Sequence, residues 1–289
     1  TGTGKTFAFG ITIIEHIDPE SEEVQAVIMA PTRELAMQIT AELRDLAVFM
    51  SGIRVVCLYG GAPIGKQIDA LKKKPQIVVA TPGRLSDHMK RRTVRLDRVQ
   101  TVVLDEADRM LDMGFIHDVR RVIKLLPQKK QTMFFSATLP PEIMDLVDTL
   151  LHDPVRAAAA PVSTPVEVIR QEVCLVDRGN KTSLLLAILD QEQVGNALVF
   201  TRTKHGADKV ARDLNRKGVA AAAIHGNKSQ TARQESLRKF KAGEVRVLVA
   251  TDIAARGLDI EDLAFVFNYN LPEVPETYVH RIGRTARAG

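Results

Sequence analysis

The sequence predicts an α/β protein with two domains in tandem, each a mostly parallel sheet covered by helices on both faces. Short apolar runs of strand length alternate with segments of helical period along the whole chain. These runs are near-continuous in Val, Ile and Leu, which is typical of parallel strands buried on both faces. The length of 289 residues also suits two domains, since one domain usually takes roughly 100–200 residues.

The elements of the first half follow one another in regular order. An amphipathic pattern predicts a helix over residues 32–50, and a second helix ends at Lys74. The lysines at 72–74 suit a helix C-terminus, where cations meet the negative end of the helix dipole. Five apolar runs fit buried strands: 24–30, 53–59, 76–80, 99–104 and 132–135.

The alternation is interrupted in the middle of the chain, where Ala, Pro and Thr dilute the apolar pattern. This break predicts a first domain over 1–155, a linker over 156–166 and a second domain over 167–289. The alternation then resumes, with strands expected at 197–200, 220–224, 245–250 and 264–268 and helices at 203–217 and 229–241. Gly243 follows the last of these helices, as a C-terminal stop residue should.

Composition excludes several classes of protein. Hydrophobic residues make up 45% and charged residues 26%, which is ordinary globular usage and excludes a disordered tail or a fibre. No apolar run approaches the roughly 20 residues of a membrane helix, so no membrane partner is expected. Cys57 and Cys174 are far apart, and each lies in an apolar stretch. They are interpreted as reduced core residues, which favours a cytoplasmic protein.

The charge balance suits a polyanionic partner. The formal net charge is +5 and the sequence pI is about 9.2. Aromatic residues make up only 4%, with no Trp, whereas proteins that bind single strands by base stacking need exposed aromatics. If a nucleic acid binds, the protein is therefore expected to contact its sugar–phosphate backbone more than its bases.

A glycine-rich segment opens the chain. Residues 1–6 read TGTGKT and precede a helical pattern over 7–17. This is the end of a P-loop, whose backbone N–H groups and helix N-terminus cradle phosphates. Lys5 would reach the β- and γ-phosphates, and the Thr6 hydroxyl would bind Mg²⁺. The start of the full pattern is not in the chain, so a glycine-rich turn before a helix stays an alternative from this segment alone.

A cluster of acids follows the fourth predicted strand. Asp105, Glu106 and Asp108 come directly after the apolar run that ends at Leu104. The carboxyl edge of a parallel sheet is where ligands of such folds bind. Asp105 would hold Mg²⁺ through its waters, and Glu106 would polarise the attacking water. A solvated acidic turn is the alternative.

The DEAD sequence at 105–108, downstream of GTGKT, resembles the DEAD-box RNA helicases of superfamily two. The resemblance implies two RecA-like domains and ATP-dependent activity on RNA, with ATP and Mg²⁺ as cofactors. Residues 110–115 (MLDMGF) and the TAR variant near the end are most similar to the bacterial RhlE-type branch. The further motifs are 31–36 (PTRELA), 60–61 (GG), 81–84 (TPGR), 136–138 (SAT), 200–202 (FTR), Gln230 with Arg233, 250–259 (ATDIAARGLD) and 280–287 (HRIGRTAR).

The resemblance implies an ATP site shared between the domains. The first domain would hold Mg-ATP, with Thr6 and Asp105 at the metal and Glu106 as the base. Arg284 and Arg287 of the second domain resemble arginine fingers that act on domain closure, and Asp252 resembles the residue that meets the ribose. The nucleotide-binding residues would be Gly2, Thr3, Gly4, Lys5, Thr6 and Asp252.

The resemblance also implies an RNA surface and a coupling device. Ser136 and Thr138 would couple hydrolysis to strand separation through Asp108 and His280. Glycines, hydroxyls and arginines bind phosphate and sugar, so little sequence preference is expected. The RNA-facing positions would be Pro31, Thr32, Arg33, Gly61, Thr81, Pro82, Gly83 and Arg84 in the first domain and Arg202, Gln230, Arg233 and Thr251 in the second.

Three functions compete at this point. The first is an ATP-dependent RNA helicase that unwinds short duplexes locally. The second is an ATP-gated RNA clamp without productive unwinding, and the third is a DNA translocase or another P-loop nucleic-acid translocase. Asp108, where the related DEAH class has histidine, favours the DEAD class. Because the chain begins inside its P-loop and lacks the family's adenine-recognition motif, this segment alone is expected to fold poorly or hydrolyse ATP weakly.

Overall fold

The computed structural model describes residues 4–157, 169–191, 194–255, 260 and 263–285. The chain divides into two compact units, unit 1 (residues 1–156) and unit 2 (residues 157–289). Most of the linker predicted at 156–166 lies outside the described residues. The prediction of a parallel α/β architecture in each half is confirmed.

Unit 1 is built on a parallel sheet. Its described strands run in the order β2-β3-β1-β4-β5, with every neighbouring pair parallel. The strands are β1 (Ala26–Met29), β2 (Val55–Leu58), β3 (Ile77–Ala80), β4 (Thr101–Leu104) and β5 (Gln131–Phe134). The helices are α1 (Lys5–His16), α2 (Arg33–Leu46), α3 (Ile64–Leu71), α4 (Pro82–Lys90), α5 (Ala107–Asp112), α6 (Ile116–Ile123) and α7 (Pro141–Leu150).

Alternate side chains of each strand enter two different cores. On β1, Ile28 packs in the core that includes Phe9 of α1 and Ile39 of α2. Val27 points to the opposite face, into the core that includes Leu85 of α4. A sheet covered on both faces needs apolar residues at every position, which is why these strands show no polar alternation.

Unit 2 repeats the arrangement with a smaller sheet. Its described strands run in the order β7-β8-β6-β9, again with parallel neighbours. The strands are β6 (Ala197–Phe200), β7 (Ala221–Ile224), β8 (Val247–Ala250) and β9 (Phe265–Asn268). The helices are α8 (Lys181–Leu189), α9 (Lys204–Arg216), α10 (Gln230–Lys241), α11 (Asp252–Ala255) and α12 (Pro275–Ile282). Helices α8 and α9 contribute to the core on one face, and α10 and α11 to the core on the other.

Several predicted elements are shorter in the structure. The helix predicted over 32–50 spans Arg33–Leu46, because Thr32 caps it and residues 47–52 form turns. The Thr32 hydroxyl accepts a hydrogen bond from the Leu35 N–H at 3.3 Å, as an N-cap side chain does. Among the described helices, none is long and apolar enough to span a bilayer.

The prediction that both cysteines lie in the core is wrong for Cys174. Cys57 is half-buried on β2, whereas Cys174 is exposed. Its neighbours Val173 and Leu175 are 86% and 97% exposed, because residues 170–177 form no helix or strand that could pack them. The apolar run around Cys174 therefore predicted burial, but these side chains are exposed in the structure.

The two thiols should differ strongly in reactivity. Burial raises the pKa of the Cys57 thiol to about 11, although Thr40 and Arg44 oppose the shift. At pH 8, only about one Cys57 in a thousand is then a thiolate, which is the reactive form. We expect iodoacetamide at pH 8 to alkylate Cys174 and spare Cys57 in the folded protein, as measured by peptide mass spectrometry. Equal labelling of both residues, without denaturant, would contradict the burial of Cys57.

Candidate functional site

The parallel strands of unit 1 bring the predicted motifs to one edge of the sheet. The carboxyl ends of parallel strands share an edge, where ligands of such folds bind. Five motif segments follow five different strands there: Thr32 follows β1, Gly61 follows β2, Thr81 follows β3, Asp105 follows β4 and Ser136 follows β5. Residues far apart in the sequence therefore lie along one edge.

The glycine-rich segment leads into α1 at this edge. Gly4 is the N-cap of α1 and has φ +68°, a left-handed conformation that favours glycine. Lys5 and Thr6 form the first turn, and the Lys5 Nζ atom lies 3.8 Å from Asp105 Oδ1. The predicted phosphate-binding residues Gly2 and Thr3 lie outside the described residues.

Asp105 is a buried carboxylate directly after β4. It is 3% exposed, and its Oδ1 atom accepts a hydrogen bond from the Glu106 N–H at 3.0 Å. Burial raises the pKa of the Asp105 carboxyl, while the Lys5 ammonium opposes the shift. A nearby divalent cation would stabilise the charged form of this buried carboxylate, and carboxylate oxygens are ligands that Mg²⁺ prefers. Asp105 therefore fits a magnesium site.

Glu106 has an unusual backbone and a fixed side chain. Its φ of +53° is left-handed, and it is the N-cap of α5. One turn along α5, the Arg109 guanidinium forms an ion pair with the Glu106 carboxylate. Arg109 is 8% exposed, so this pair orients Glu106 within a largely buried setting.

Asp108 joins the acidic cluster to the segment after β5. Its Oδ2 atom accepts hydrogen bonds from the Thr138 N–H at 3.0 Å and from the Thr138 hydroxyl at 2.9 Å. The Ser136 hydroxyl accepts from the Asp108 N–H at 3.2 Å and donates to the Thr138 carbonyl at 2.7 Å. Three of the four predicted coupling residues therefore form one network, while His280 belongs to unit 2.

Replacing Thr138 with valine should weaken this network. Valine has the shape of threonine but lacks the hydroxyl, so Asp108 loses one of its two bonds from residue 138. We expect ATP turnover to stay within a few-fold of wild type and strand displacement to fall about tenfold, since a hydrogen bond to a charged group contributes roughly 1.5–3 kcal/mol. Both activities are measured on one preparation.

Thr149→Val is the matched control, because it too removes one exposed threonine hydroxyl. The Thr149 hydroxyl donates to the backbone carbonyl of Asp145 and takes no part in the Asp108 network. Equal strand displacement by the two variants would contradict a coupling role for Thr138.

Two of the predicted RNA-facing residues of unit 1, Arg33 and Gly61, contact each other, and the others lie at the starts of α2 and α4. The Arg33 guanidinium packs against Gly60 and Gly61, and a Cβ added at Gly61 would lie 2.4 Å from an Arg33 NH1 atom. Arg84 donates to the carbonyl of Ala62 at 3.1 Å, which ties the start of α4 to the same loop. Thr81 is the N-cap of α4, Pro82 and Gly83 lie in its first turn, and Pro31 precedes the α2 cap Thr32.

Gly61→Ala should damage this surface. Gly61 has φ +83°, which costs a residue with a Cβ roughly 1–2 kcal/mol, and the new methyl group would displace Arg33. We expect RNA affinity to fall about tenfold and the urea midpoint to decrease, as measured by fluorescence anisotropy and equilibrium unfolding.

Gly65→Ala is its control, because Gly65 lies in α3 and a Cβ there meets nothing within 4 Å. A Gly61 variant that matched this control in both measurements would refute the packing account.

Unit 2 places its predicted RNA positions in the same way. Arg202 follows β6, Thr251 follows β8, and Gln230 and Arg233 occupy the first turn of α10 after β7. The Arg202 N–H donates to Asn270 Oδ1 at 3.2 Å, and its guanidinium lies 3.4 Å from Glu273. Thr251 is 8% exposed. These residues lie at the carboxyl edge of the second sheet.

Asp252, the residue expected to meet the ribose, forms a bidentate ion pair within unit 2. Its two oxygens accept hydrogen bonds from Arg281, from Nε at 2.6 Å and from NH2 at 2.8 Å. Arg281 is 3% exposed and also donates to Asn268 Oδ1 and to the Asn270 carbonyl, at 2.8 and 2.6 Å. Asp252 therefore positions Arg281, and its contact with a ribose stays a prediction.

A recess of unit 2 includes two of the predicted side chains. His280 and Arg284 line it together with Thr277, the Asp252–Arg281 pair and the Phe200 ring. The Arg281 guanidinium lies 4.8 Å from the centre of that ring. The second predicted arginine finger, Arg287, lies outside the described residues.

Comparison with protein families decides the classification. The model of the DEAD/DEAH box helicase matches residues 1–146, and that of the helicase conserved C-terminal domain matches residues 180–289. The chain belongs to the DEAD/DEAH box helicase family. Its fold class is likewise shown by solved helicase structures. A Saccharomyces cerevisiae Dbp5 bound to RNA and ADP BeF3 is 31% identical with a TM-score of 0.85, and the match covers 100% of this chain and 75% of that chain.

Bacterial relatives refine the placement within the family. The ATP-dependent RNA helicase CshA of Listeria monocytogenes is 49% identical, and the DEAD-box ATP-dependent RNA helicase CshA of Bacillus subtilis is 48% identical. Each match covers the whole of this chain but only 55% and 58% of the relative, so the chain spans little more than half of their length. Because these relatives are CshA proteins, the expected RhlE-type branch is not supported.

Two arginines of this family member were missed as site residues by sequence reasoning. Arg109 received no role, although its position three residues after Glu106 could have indicated an i,i+3 ion pair if a helix began there. Arg281 lies inside the HRIGRTAR motif but received no role either. Its partners Asp252, Asn268 and Asn270 are brought to it by tertiary structure, which no local pattern indicates.

Proposed function

We propose that the protein is an ATP-dependent RNA helicase, in which RNA-stimulated ATP hydrolysis drives local unwinding of short duplexes. The observation that carries the proposal is the Lys5–Asp105 pair, with Glu106 beside it, at the carboxyl edge of the unit 1 sheet. It supplies a cation for phosphates, an acid for a metal and a candidate base in one place. The names of the bacterial relatives and the RNA-bound Dbp5 structure support this proposal.

The nucleotide site combines phosphate binding with a candidate metal site. Lys5 releases Asp105 to bind the β- and γ-phosphates of ATP, helped by the N–H groups at the start of α1. Thr6 and Asp105 would hold Mg²⁺, which would supply positive charge beside the phosphates. Glu106 accepts a proton from the attacking water, in an orientation set by Arg109.

Unit 2 contributes positive charge and RNA contacts. Arg284 and Arg287 stabilise the charge of the transferred phosphoryl group, for which inserted arginines are worth roughly 10³–10⁵ in rate. Asp252 and Arg281 position α12, which carries His280 and precedes Arg284. Apart from Pro31 and Pro82, the RNA-facing residues of both units are threonines, glycines, arginines and a glutamine, which bind sugar and phosphate and imply little sequence preference.

Two assays on the purified full-length protein that contains this chain test this function against its alternatives. ATP turnover is measured alone, with RNA and with DNA of the same sequence, and strand displacement is measured on a short RNA duplex. We expect turnover to rise at least tenfold with RNA and to rise less with DNA, and the duplex to separate only with ATP. Slow turnover without displacement would indicate an RNA clamp, and equal stimulation by DNA would indicate another P-loop translocase.

The subfamily and cellular location are part of the proposal. The CshA names of the relatives support a CshA-like helicase. The two free thiols agree with a reducing, cytoplasmic environment.

A further inference from the structure

The outermost line of α9 is entirely basic. His205, Lys209, Arg212 and Arg216 are spaced by four, three and four residues, and all four are exposed. With 3.6 residues per turn, they lie within about 60° of the helix circumference and extend over about 16 Å. We call these four residues the α9 stripe.

The stripe faces directly away from the core. Ala207, Val210, Ala211 and Leu214 form the buried side of α9, about 180° from the stripe at 100° per residue. The two acids of α9 lie outside the stripe. Asp213 lies 3.6 Å from Arg216, and the other, Asp208, has partners of its own.

Asp208 is held by groups that precede α10. Its carboxylate oxygens lie 2.9 Å from Lys228 Nζ and 3.0 Å from His225 Nε2. Partial burial raises the pKa of Asp208, but these two contacts outweigh it and the pKa is lowered overall. Asp208 therefore does not neutralise the stripe, and Lys209 and Arg212 have no ion pair among the described residues.

Positive charge is concentrated in this part of the chain. Residues 202–246 hold twelve Lys and Arg against four Asp and Glu, a formal charge of +8, whereas the whole chain carries +5. The remainder of the protein is thus slightly acidic. This segment, which includes the three cations of the α9 stripe, therefore attracts a polyanion more strongly than the rest of the chain does.

The stripe begins where the proposed RNA contacts of unit 2 end. α9 follows Arg202 directly, and its N-cap Thr203 accepts a hydrogen bond from the Gly206 N–H at 3.0 Å. His205 lies within the first turn, and the other three residues continue along the helix away from the sheet edge. A polyanion bound at Arg202 can therefore continue along α9.

We propose that the α9 stripe binds the phosphate backbone of RNA that flanks the strand held by the helicase motifs. This inference rests on the proposed function, because it extends the same RNA beyond the motif contacts. A line of Lys and Arg without interleaved aromatics has no side chain on which bases can stack, which favours contacts to phosphates. A membrane surface does not fit, since a membrane-bound helix needs an exposed apolar face, and the apolar face of α9 is buried.

The triple variant K209Q/R212Q/R216Q tests the stripe. Its binding to an eight-nucleotide RNA is compared with binding to the same strand carrying a duplex at its 5′ or 3′ end, with ATP analogue present. We expect affinity for one duplex-flanked RNA to fall at least tenfold and its log–log salt slope to fall by about 2–3, as for three lost phosphate contacts. Affinity for the short strand should change less than twofold.

The control variant K73Q/K124Q/K129Q removes three exposed lysines from unit 1, and thus the same net charge. Identical effects of the two variants, or equal weakening of short and flanked RNA by K209Q/R212Q/R216Q, would overturn the proposal. Competition by polyglutamate as strong as by RNA of equal charge would overturn it too, in favour of an acidic protein partner. If wild type shows RNA-stimulated ATP turnover while the stripe variant matches the control, only the stripe proposal fails. If wild type binds neither RNA, the proposed function fails with it.

Discussion

Glu106→Gln is expected to lower RNA-stimulated ATP turnover by roughly 10²–10⁴-fold, the usual contribution of a general base. Glutamine keeps the size of the side chain and can still accept a hydrogen bond from Arg109, but it cannot take a proton from water. Nucleotide affinity should change little, because Lys5 and Asp105 are untouched. Steady-state phosphate release measures the first effect, and binding of a fluorescent ATP analogue measures the second.

Glu142→Gln provides the control for charge, since Glu142 is an exposed residue in the first turn of α7. Its turnover should equal that of wild type. Turnover of the Glu106 variant within threefold of the control would show that another group accepts the proton. A parallel loss of nucleotide affinity would instead indicate that Glu106 acts in binding.

Arg281→Met should produce the largest loss of stability. It leaves the Asp252 carboxylate, the Asn268 amide and the Asn270 carbonyl without a shared donor, in a place where Arg281 itself is 3% exposed. Removal of one partner of a buried ion pair costs about 3–5 kcal/mol. We expect a loss of stability near the lower end of this range, because the Asp252 side chain is 28% exposed and water can solvate part of its charge. Thermal unfolding should show a lower midpoint for unit 2, and ATP turnover should fall because α12 carries His280 and precedes Arg284.

Two further variants separate charge from geometry at this position. Arg281→Lys keeps the charge but cannot donate two parallel bonds to Asp252, so we expect it to recover only part of the lost stability. Arg178→Met removes an exposed arginine of unit 2 and should leave the midpoint unchanged. Equal midpoints for Arg281→Met and Arg178→Met would contradict a structural role for the Asp252–Arg281 pair.

The parallel sheets could be predicted from sequence because their physics is local and repetitive. Each of β1, β3, β6 and β8 is buried at every position. A short run of Val, Ile, Leu and Ala is stable mainly as a strand that is covered on both faces. The ends of elements were less predictable, since the end of α2 depends on turns after Leu46 that leave Phe49 96% exposed. Cys174 was misplaced for the same reason, because burial depends on packing partners.

The candidate site was partly predictable. Motifs that follow strands must lie at one sheet edge, so Thr32, Gly61, Thr81 and Asp105 could be grouped from sequence and topology alone. The pairs that individual side chains form could not be predicted from the sequence. The bidentate Asp252–Arg281 pair spans 29 residues, and a carboxylate next to a motif threonine gives no local sign of which partner it will take.

The close approach of Arg33 to Gly61 also constrains how the sequence can diversify. A side chain at position 61 meets the guanidinium of Arg33, which must then move aside, so a change at one position alters the contact made by the other. Homologues that have lost the glycine should carry a shorter residue at 33 and a rebuilt loop, and an alignment of the family would display this as covariation.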